Sequence, residues 1–479
     1  MALVISASGI RGTVEGPVGQ NLTPLDVVEW VAAWGLWLRE RHDHPTVVVG
    51  QDARPSGGVL RPLAIQTLRA LGVSVWDAGL TTTPTLAMGI PFLQAQGGLI
   101  LTASHNPAGW NALKFLNEEG TFLPPSAIEE IRTLRAHLHF PHTDHPAPVQ
   151  EAPHLMQHHL RSIVAHPWIE KEAIARAGLR LVVDGINSGG ALFVPALLEA
   201  LGVQKVHLLN GEPTGHFAHP PEPLPENLTA LAQAVQEKKA HLGIAVDPDV
   251  DRVAFFLPDG TPFSEEYTLV VVADYVLHRQ KGPVVANQST TQAVAWVAQK
   301  HGVPFYESPV GEYHVVQKMK AVGAVIGGEG NGGVIWPALH YGRDALAGIA
   351  LFLSALVQAG GNAHHLRHKY PTYTLYKARL PLEKPLPPNF FQELASQADG
   401  ALLSQEDGLK LRWPDRWVHI RPSGTEPLLR LIVEAPHPHR SPGLAEPLVP
   451  THPGSTQLIF FTLEAWNPRR ISPKKAPTP

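Results

Sequence analysis

Gly97-Gly-Leu-Ile-Leu-Thr-Ala-Ser-His-Asn-Pro107 is the stretch whose reading decides the fold. Its first half is short and wholly apolar, the signature of a strand buried on both faces. Its second half is small and polar and ends in proline, so the strand over 98–102 gives way to a loop. Ser104 therefore stands just past the carboxyl end of a buried strand, where open α/β sheets gather their chemistry. Upstream, Thr46-Val-Val-Val-Gly50 and Val73-Ser-Val-Trp-Asp77 read as two more strands. Val59 to Leu71 and Pro84 to Gln94 carry helical spacing between them. Strands alternating with helices predict βαβ units and a mostly parallel sheet.

The His- and Pro-rich stretch from His137 to Pro153 breaks this pattern and reads as a linker. The alternation then restarts twice. Strands are expected at 179–184, 203–209 and 242–246, with helices at 191–201 and 228–239. A further set places strands at 283–286 and 324–327 and helices at 265–279, 291–301 and 343–358. Each of these segments ends a buried strand in a glycine- or aspartate-rich loop, which suggests three related α/β domains without a visible residue-level repeat. After Tyr370 the character changes. Strands at 373–380, 409–413 and 428–434 around a helix at 390–397 predict a separate α+β domain. The expected domains are 1–150, 151–258, 259–368 and 369–479, the last with a proline-rich tail from 436.

The chain has 479 residues, 44% of them hydrophobic and 17% charged, which suits a globular protein with a substantial core. A formal net charge of −4 gives no support for a nucleic-acid partner. With no cysteine, disulfides and thiolate metal sites are excluded. The apolar N-terminal stretch Ala2-Leu-Val-Ile5 is too short for a signal peptide or a membrane span, so a soluble cytoplasmic protein is expected.

Three other loops join the one at Ser104. In Asp247-Pro-Asp-Val-Asp-Arg252, three alternating carboxylates converge only if the chain curls around a common centre. They repel unless a cation compensates, and hard oxygen ligands suit magnesium. An EF-hand is excluded, since its sixth position would be Arg252 and its twelfth Pro258. Ser104 beside His105 hints at a serine hydrolase, but no Gly-x-Ser-x-Gly elbow is present. The alternative is a serine that carries a phosphoryl group held by the metal. Lys114, in Trp110-Asn-Ala-Leu-Lys-Phe115, is near enough in sequence to return to that site as a general acid or base. In Arg421-Pro-Ser-Gly-Thr-Glu-Pro427, an arginine fork, two hydroxyls and a glycine make a phosphate cradle. Gly328-Glu-Gly-Asn-Gly-Gly333 sets Glu329 and Asn331, partners for sugar hydroxyls, among glycines that let a ligand approach the backbone, and it lacks a P-loop ending.

The set Gly9-Ile-Arg-Gly12, Thr102 to Pro107, Asp247 to Arg252, Gly328 to Gly333 and Arg421 to Pro427 resembles the α-D-phosphohexomutase superfamily, in order and spacing, from residue 1 to about 435. The resemblance implies four domains around a central cleft, each contributing one loop. It makes Ser104 the phosphoserine, with Asp247, Asp249 and Asp251 holding Mg2+ beside it. Arg11, His105, Lys114 and Arg252 would assist proton transfer and neutralise charge. Glu329, Gly330 and Asn331 would hold the sugar, and Arg421, Ser423, Gly424 and Thr425 the non-reacting phosphate. The implied reaction converts hexose 1-phosphate and hexose 6-phosphate through a 1,6-bisphosphate, which also serves as activator, in a monomer or homodimer. Glucose and mannose phosphates are expected ahead of glucosamine phosphate; a binding protein without catalysis and a metal-dependent phosphatase are the readings from other classes.

Two departures stand out. Many family members carry Ser-Gly-His in the sugar loop, where this chain has Asn331-Gly-Gly333. After Ala435 the family continues into a helix, which Pro436-His-Pro-His-Arg-Ser-Pro442 cannot form. An altered C-terminal end is the expectation there.

Overall fold

The computed structural model describes residues 3–142, 145–152, 154–382, 386–396, 398, 400–423 and 428–436. They form two compact units that divide between Pro371 and Thr372. Pro436, where the proline-rich tail starts, ends the strand Leu428–Pro436, and the tail from 437 on falls outside the described residues.

The first unit holds three sheets. In the first, Thr46–Gln51 lies between Gly97–Leu101 and Ser74–Leu80, parallel to both. Trp110–Asn117, Gly9–Thr13 and Val4–Ser6 then extend the sheet antiparallel. The seven strands are therefore evenly split between parallel and antiparallel pairings rather than mostly parallel. Register does the positioning: Lys114 lies opposite Ile100, and Arg11 opposite Ala112, so both sit beside the end of the strand that leads to Ser104.

Helix Pro24–Arg39 covers one face of this sheet. Thr23 caps it, Asp26 returns the hydrogen bond, and Pro24 fills the first turn, where its missing N–H costs nothing. Its Trp30 and Trp34 are fully buried, and Trp34 meets Phe115 with ring centroids 4.9 Å apart. The linker reading needs correction at one place. Val149–Glu151 is a strand, paired in parallel with Ser74–Leu80. All three of its residues are exposed at the sheet edge, so neither apolar alternation nor a buried run marks it in the sequence.

The second sheet centres on the buried strand Leu242–Val246, parallel to Arg180–Asp184 and antiparallel to Val253–Phe256. In the third, Val284–Asn287 pairs in parallel with Phe305–Ser308 and Ile326–Glu329, and Gly333–Ile335 returns antiparallel to the latter. One device recurs in all three modules. A buried strand parallel to its neighbour runs into a functional loop and comes back as an antiparallel partner. The loops at 102–109, 247–252 and 330–332 are thus hairpin connections whose ends are clamped by a sheet. Helix Ala345–Gln358, capped by Asp344, is buried from Ala345 to Leu356. No helix among the described residues is long and apolar enough to cross a membrane.

The second unit is a five-stranded antiparallel sheet with Leu394 of helix Phe390–Ser396 packed in its core. Buried in it, His419 has its Nε2 2.7 Å from the Asp407 carbonyl oxygen. Burial overrides that partner and brings the imidazole from 6.5 down to about 4. The unfolded chain therefore takes up this proton at a higher pH than the folded one. Stability present above pH 6.5 is lost as pH falls towards 4, by on the order of 2 kcal/mol. Melting the full chain at pH 5 and pH 7.5 should show a loss at the acid end that His419→Leu reduces.

Candidate active site

Ser104 adopts a left-handed backbone conformation, φ 49°, unusual for a residue with a side chain. Its N–H donates to Thr102 Oγ1 at 3.0 Å, and that hydroxyl donates to Asp52 Oδ2 at 2.6 Å. The twist aims Ser104 Oγ across to the second module, where it donates to Asp247 Oδ2 at 2.6 Å. Ser104 is 3% exposed. His105 Nδ1 lies 3.4 Å from the same hydroxyl, so these two neighbours do meet. Burial and the Arg252, Arg11 and Arg343 guanidinium groups push His105 well below its usual range.

Arg54 holds this loop in shape. Fully buried, it donates to the carbonyls of Ser104, Asn106, Pro107 and Trp110 at 2.6, 2.7, 2.6 and 3.1 Å, and its Nε pairs with Asp52 at 3.0 Å. One guanidinium fork thus binds four carbonyls of the loop together, and the Pro107 carbonyl also accepts the Trp110 N–H at 3.0 Å. Sequence reasoning passed over this residue. The signal was there in Asp52-Ala-Arg54, a charge pair at the carboxyl end of a buried strand.

In the loop at 247–252, Asp247, Asp249 and Asp251 are all fully buried, with a carboxylate oxygen of each within 4.8 Å of the others. Asp247 Oδ1 accepts the N–H groups of Asp251 and Arg252 at 3.0 and 3.1 Å, and the turn passes through Val250 at φ 60°. Lys114 Nζ sits 2.5 Å from Asp249 Oδ2 and 3.9 Å from Asp251 Oδ2. Thr83 Oγ1 donates to the same Asp249 oxygen at 2.6 Å. Burial and the Asp251 and Asp249 charges push Asp247 well above the carboxylate range. Asp249 goes the other way: burial would raise it, but the Lys114 ammonium and the hydrogen bonds around it win. Asp249 Oδ1 and Asp251 Oδ1 are buried with no hydrogen-bond partner. Buried, unpartnered carboxylate oxygens are costly unless something cationic takes them, and a hard divalent ion fits such a donor set.

Arg11 and Arg252 border this cluster. Arg11 Nη1 donates to Asn106 Oδ1 at 3.2 Å; burial and the neighbouring Arg252 charge lower it to about 10. Arg252 Nη1 reaches Glu222 at 3.3 Å, and its Nε stands 3.7 Å from Asp251 Oδ1.

In the loop at 328–333, Glu329 is 3% exposed. Its Oε1 accepts from Asn287 Nδ2 at 2.6 Å and from the Gly311 N–H at 3.1 Å, and its Oε2 from Arg343 at 2.7 Å. Burial would raise this carboxyl, but Arg343 and Arg252 hold it below the usual range. A side chain at Gly330 would displace the Glu266 carboxylate, which sits where its Cβ would go. Asn331 Oδ1 accepts from the Gly333 N–H at 3.2 Å.

Ser104, His105, Lys114, Arg11, Arg252 and the aspartates thus form one cluster in the first unit, and Arg343 ties Glu329 to Asp251 of that cluster. Arg421 and Ser423 stand at the end of strand Trp417–Pro422 in the second unit. Arg421 Nε pairs with Asp407 at 2.8 Å, and the Ser423 N–H donates to the Leu428 carbonyl at 2.8 Å. Gly424 and Thr425 lie outside the described residues.

Comparison with known proteins follows the same modular order. Residues 3–141, 155–260 and 264–373 match phosphoglucomutase/phosphomannomutase alpha/beta/alpha domains I, II and III, and residues 384–443 match the C-terminal domain. A phosphoglucomutase/phosphomannomutase of Thermococcus kodakarensis is 33% identical over 447 residues, 91% of this chain and 95% of that one. A phosphoglucosamine/phosphogalactosamine mutase of Sulfurisphaera tokodaii is 28% identical over 450 residues, 91% of this chain and 96% of that one. A phosphoglucomutase/phosphomannomutase family protein of Burkholderia thailandensis shares the fold, with a TM-score of 0.78 at 24% identity, over 91% of this chain and 94% of that one.

Proposed function

The chain belongs to the α-D-phosphohexomutase superfamily, and from that premise we propose that it interconverts hexose 1-phosphates and hexose 6-phosphates through a phosphoserine at Ser104. The observation that carries this reading is Ser104 Oγ on Asp247, inside a buried three-aspartate cluster whose opposite side is held by Lys114.

In the forward half-reaction, the P–O bond at Ser104 Oγ breaks as a P–O bond to a sugar hydroxyl forms, and the hydroxyl proton passes to the protein. The 1,6-bisphosphate then presents its other phosphate to the serine. Asp247, Asp249 and Asp251 would hold magnesium beside the phosphorylated serine. When bound, the ion supplies Lewis-acid polarisation of the phosphoryl oxygens. Lys114, placed between Asp249 and Asp251, is the group that exchanges the proton, and Arg11 and Arg252 offset phosphate charge from the rim. His105 borders the serine hydroxyl. Glu329 retains lone-pair capacity beyond its three donors, enough to accept a sugar hydroxyl. Arg421 and Ser423, with Gly424 and Thr425, hold the phosphate that does not react.

Glucose and mannose phosphates are proposed ahead of glucosamine phosphate. The second reading, an amino-sugar mutase, has the Sulfurisphaera relative in its favour. An isomerisation assay with glucose, mannose and glucosamine 1-phosphates, magnesium and a trace of hexose bisphosphate ranks them. The expected result is conversion of all three neutral-pH substrates tested, the amino sugar slowest by about tenfold, the size of one polar contact. Activity confined to the amino sugar selects the second reading. Release of inorganic phosphate in place of isomerised sugar points to a phosphatase instead.

A further inference from the structure

Arg343 lies between the metal loop and the sugar loop and belongs to neither. It is 8% exposed. Its Nη2 donates to Asp251 Oδ2 at 2.6 Å, its Nη1 to Glu329 Oε2 at 2.7 Å and its Nε to Glu312 Oε2 at 3.0 Å. Its backbone N–H also donates to Glu312 Oε1, at 3.1 Å. Carboxylates from three separate segments thus share one planar fork, which only an arginine offers.

The fork is held from behind. Asp344 Oδ1 caps helix Ala345–Gln358 through the Leu346 and Ala347 N–H groups, at 2.9 and 3.1 Å. Its Oδ2 meets His159 Nε2 at 2.8 Å and His340 Nε2 at 3.2 Å. The side chain of Arg343 also needs the space beside Gly333, where a Cβ would collide with Arg343 Cδ. The loop position at which many family members carry histidine is therefore filled here by an arginine stem from another segment.

We propose that Arg343 is a positioning residue that couples the two loops, competing with the divalent cation for Asp251 while it fixes Glu329. The proposal rests on the reading of the three aspartates as cation ligands. Asp251 offers one oxygen to the guanidinium and leaves the other without a hydrogen-bond partner. A cation must share this carboxylate with a fixed positive charge, which weakens its hold. Glu329 and Glu312 draw the fork away from Asp251. Neutralising either one leaves Arg343 more firmly on the metal loop, so cation affinity falls although neither residue is a ligand.

The test is Mn2+ binding, followed by the electron paramagnetic resonance of the free ion, in four full-length proteins: wild type, Arg343→Gln, Glu329→Gln and the double variant. Arg343→Gln should bind Mn2+ about tenfold more tightly, and Glu329→Gln about threefold more weakly, within the usual range of pairwise coupling. In the Arg343→Gln background the Glu329 substitution should have a smaller effect. In isomerisation, Arg343→Gln should lower kcat more than it changes KM, because Glu329 loses its fixed position, and Arg343→Lys should recover part of the loss. A role in packing alone gives a lower melting temperature with unchanged or weaker Mn2+ binding. That outcome, or an equal Glu329 effect in both backgrounds, overturns the proposal. If Arg343→Gln does not fold, Glu312→Gln decides: weaker Mn2+ binding supports the coupling, unchanged binding overturns it. A wild type that binds no Mn2+ removes the cation reading itself, and equal Mn2+ binding by all four proteins removes only the coupling.

Discussion

Replacing Ser104 by alanine is expected to lower hexose-phosphate isomerisation by about four orders of magnitude or more, the usual cost of deleting a covalent nucleophile. The variant should still fold. Its left-handed backbone, φ 49°, is as strained with alanine as with serine, and the hydrogen bonds that shape the loop run through Thr102, Asp52 and Arg54 instead. The local losses are the hydrogen bond to Asp247, whose second oxygen keeps two backbone donors, and the 3.4 Å contact with His105 Nδ1. That costs about 1–2 kcal/mol. A melting curve close to the wild type's, together with an almost flat progress curve, separates a missing nucleophile from a damaged fold.

Arg54→Met should be the most destabilising single change near the site. Methionine fills the volume but leaves the Asp52 carboxylate buried without its cation and takes a donor from each of four loop carbonyls, of which Pro107 keeps the Trp110 N–H. Breaking a buried pair in this way costs roughly 3–5 kcal/mol. Lysine should not rescue it, since a single ammonium cannot span carbonyls that need a planar fork. Denaturant unfolding measures the stability loss. Isomerisation measured on the fraction that remains folded should also fall, because the twist at Ser104 depends on the loop those carbonyls belong to. A lysine variant with native stability and activity would show that Arg54 acts as a charge and not as a template.

Most of the layout was legible in the sequence because buried parallel strands announce themselves. Leu242–Val246 is an unbroken apolar run closed by aspartate, and Gly97–Leu101 one closed by small polar residues. Residues of opposite character were harder to read. Val149–Glu151 is an exposed edge strand without periodicity, and helix Pro24–Arg39 went unmarked although Thr23 and Asp26 spell a capping box. At the candidate site, the residues of the serine and aspartate loops stood out because each loop packs several polar groups into a few positions. Arg54, Thr83, Glu312 and Arg343 did not. Each acts on a partner far along the chain: Arg54 on residues 104–110, Thr83 on Asp249, Arg343 on Asp251, Glu312 and Glu329. Pairings of that kind are set by how the sheets bring loops together, which local spacing does not encode.

The most direct test of the phosphoserine reading is a single-turnover chase. The wild-type protein is incubated with magnesium and hexose 1,6-bisphosphate labelled in its phosphates and freed of excess ligand; one aliquot is mapped by peptide mass and the other is mixed with unlabelled hexose 1-phosphate. The predicted result is label on one peptide, the one containing Ser104, which then moves quantitatively to sugar bisphosphate. Label on another residue, or label lost to water as inorganic phosphate while the sugar stays unconverted, would contradict the account.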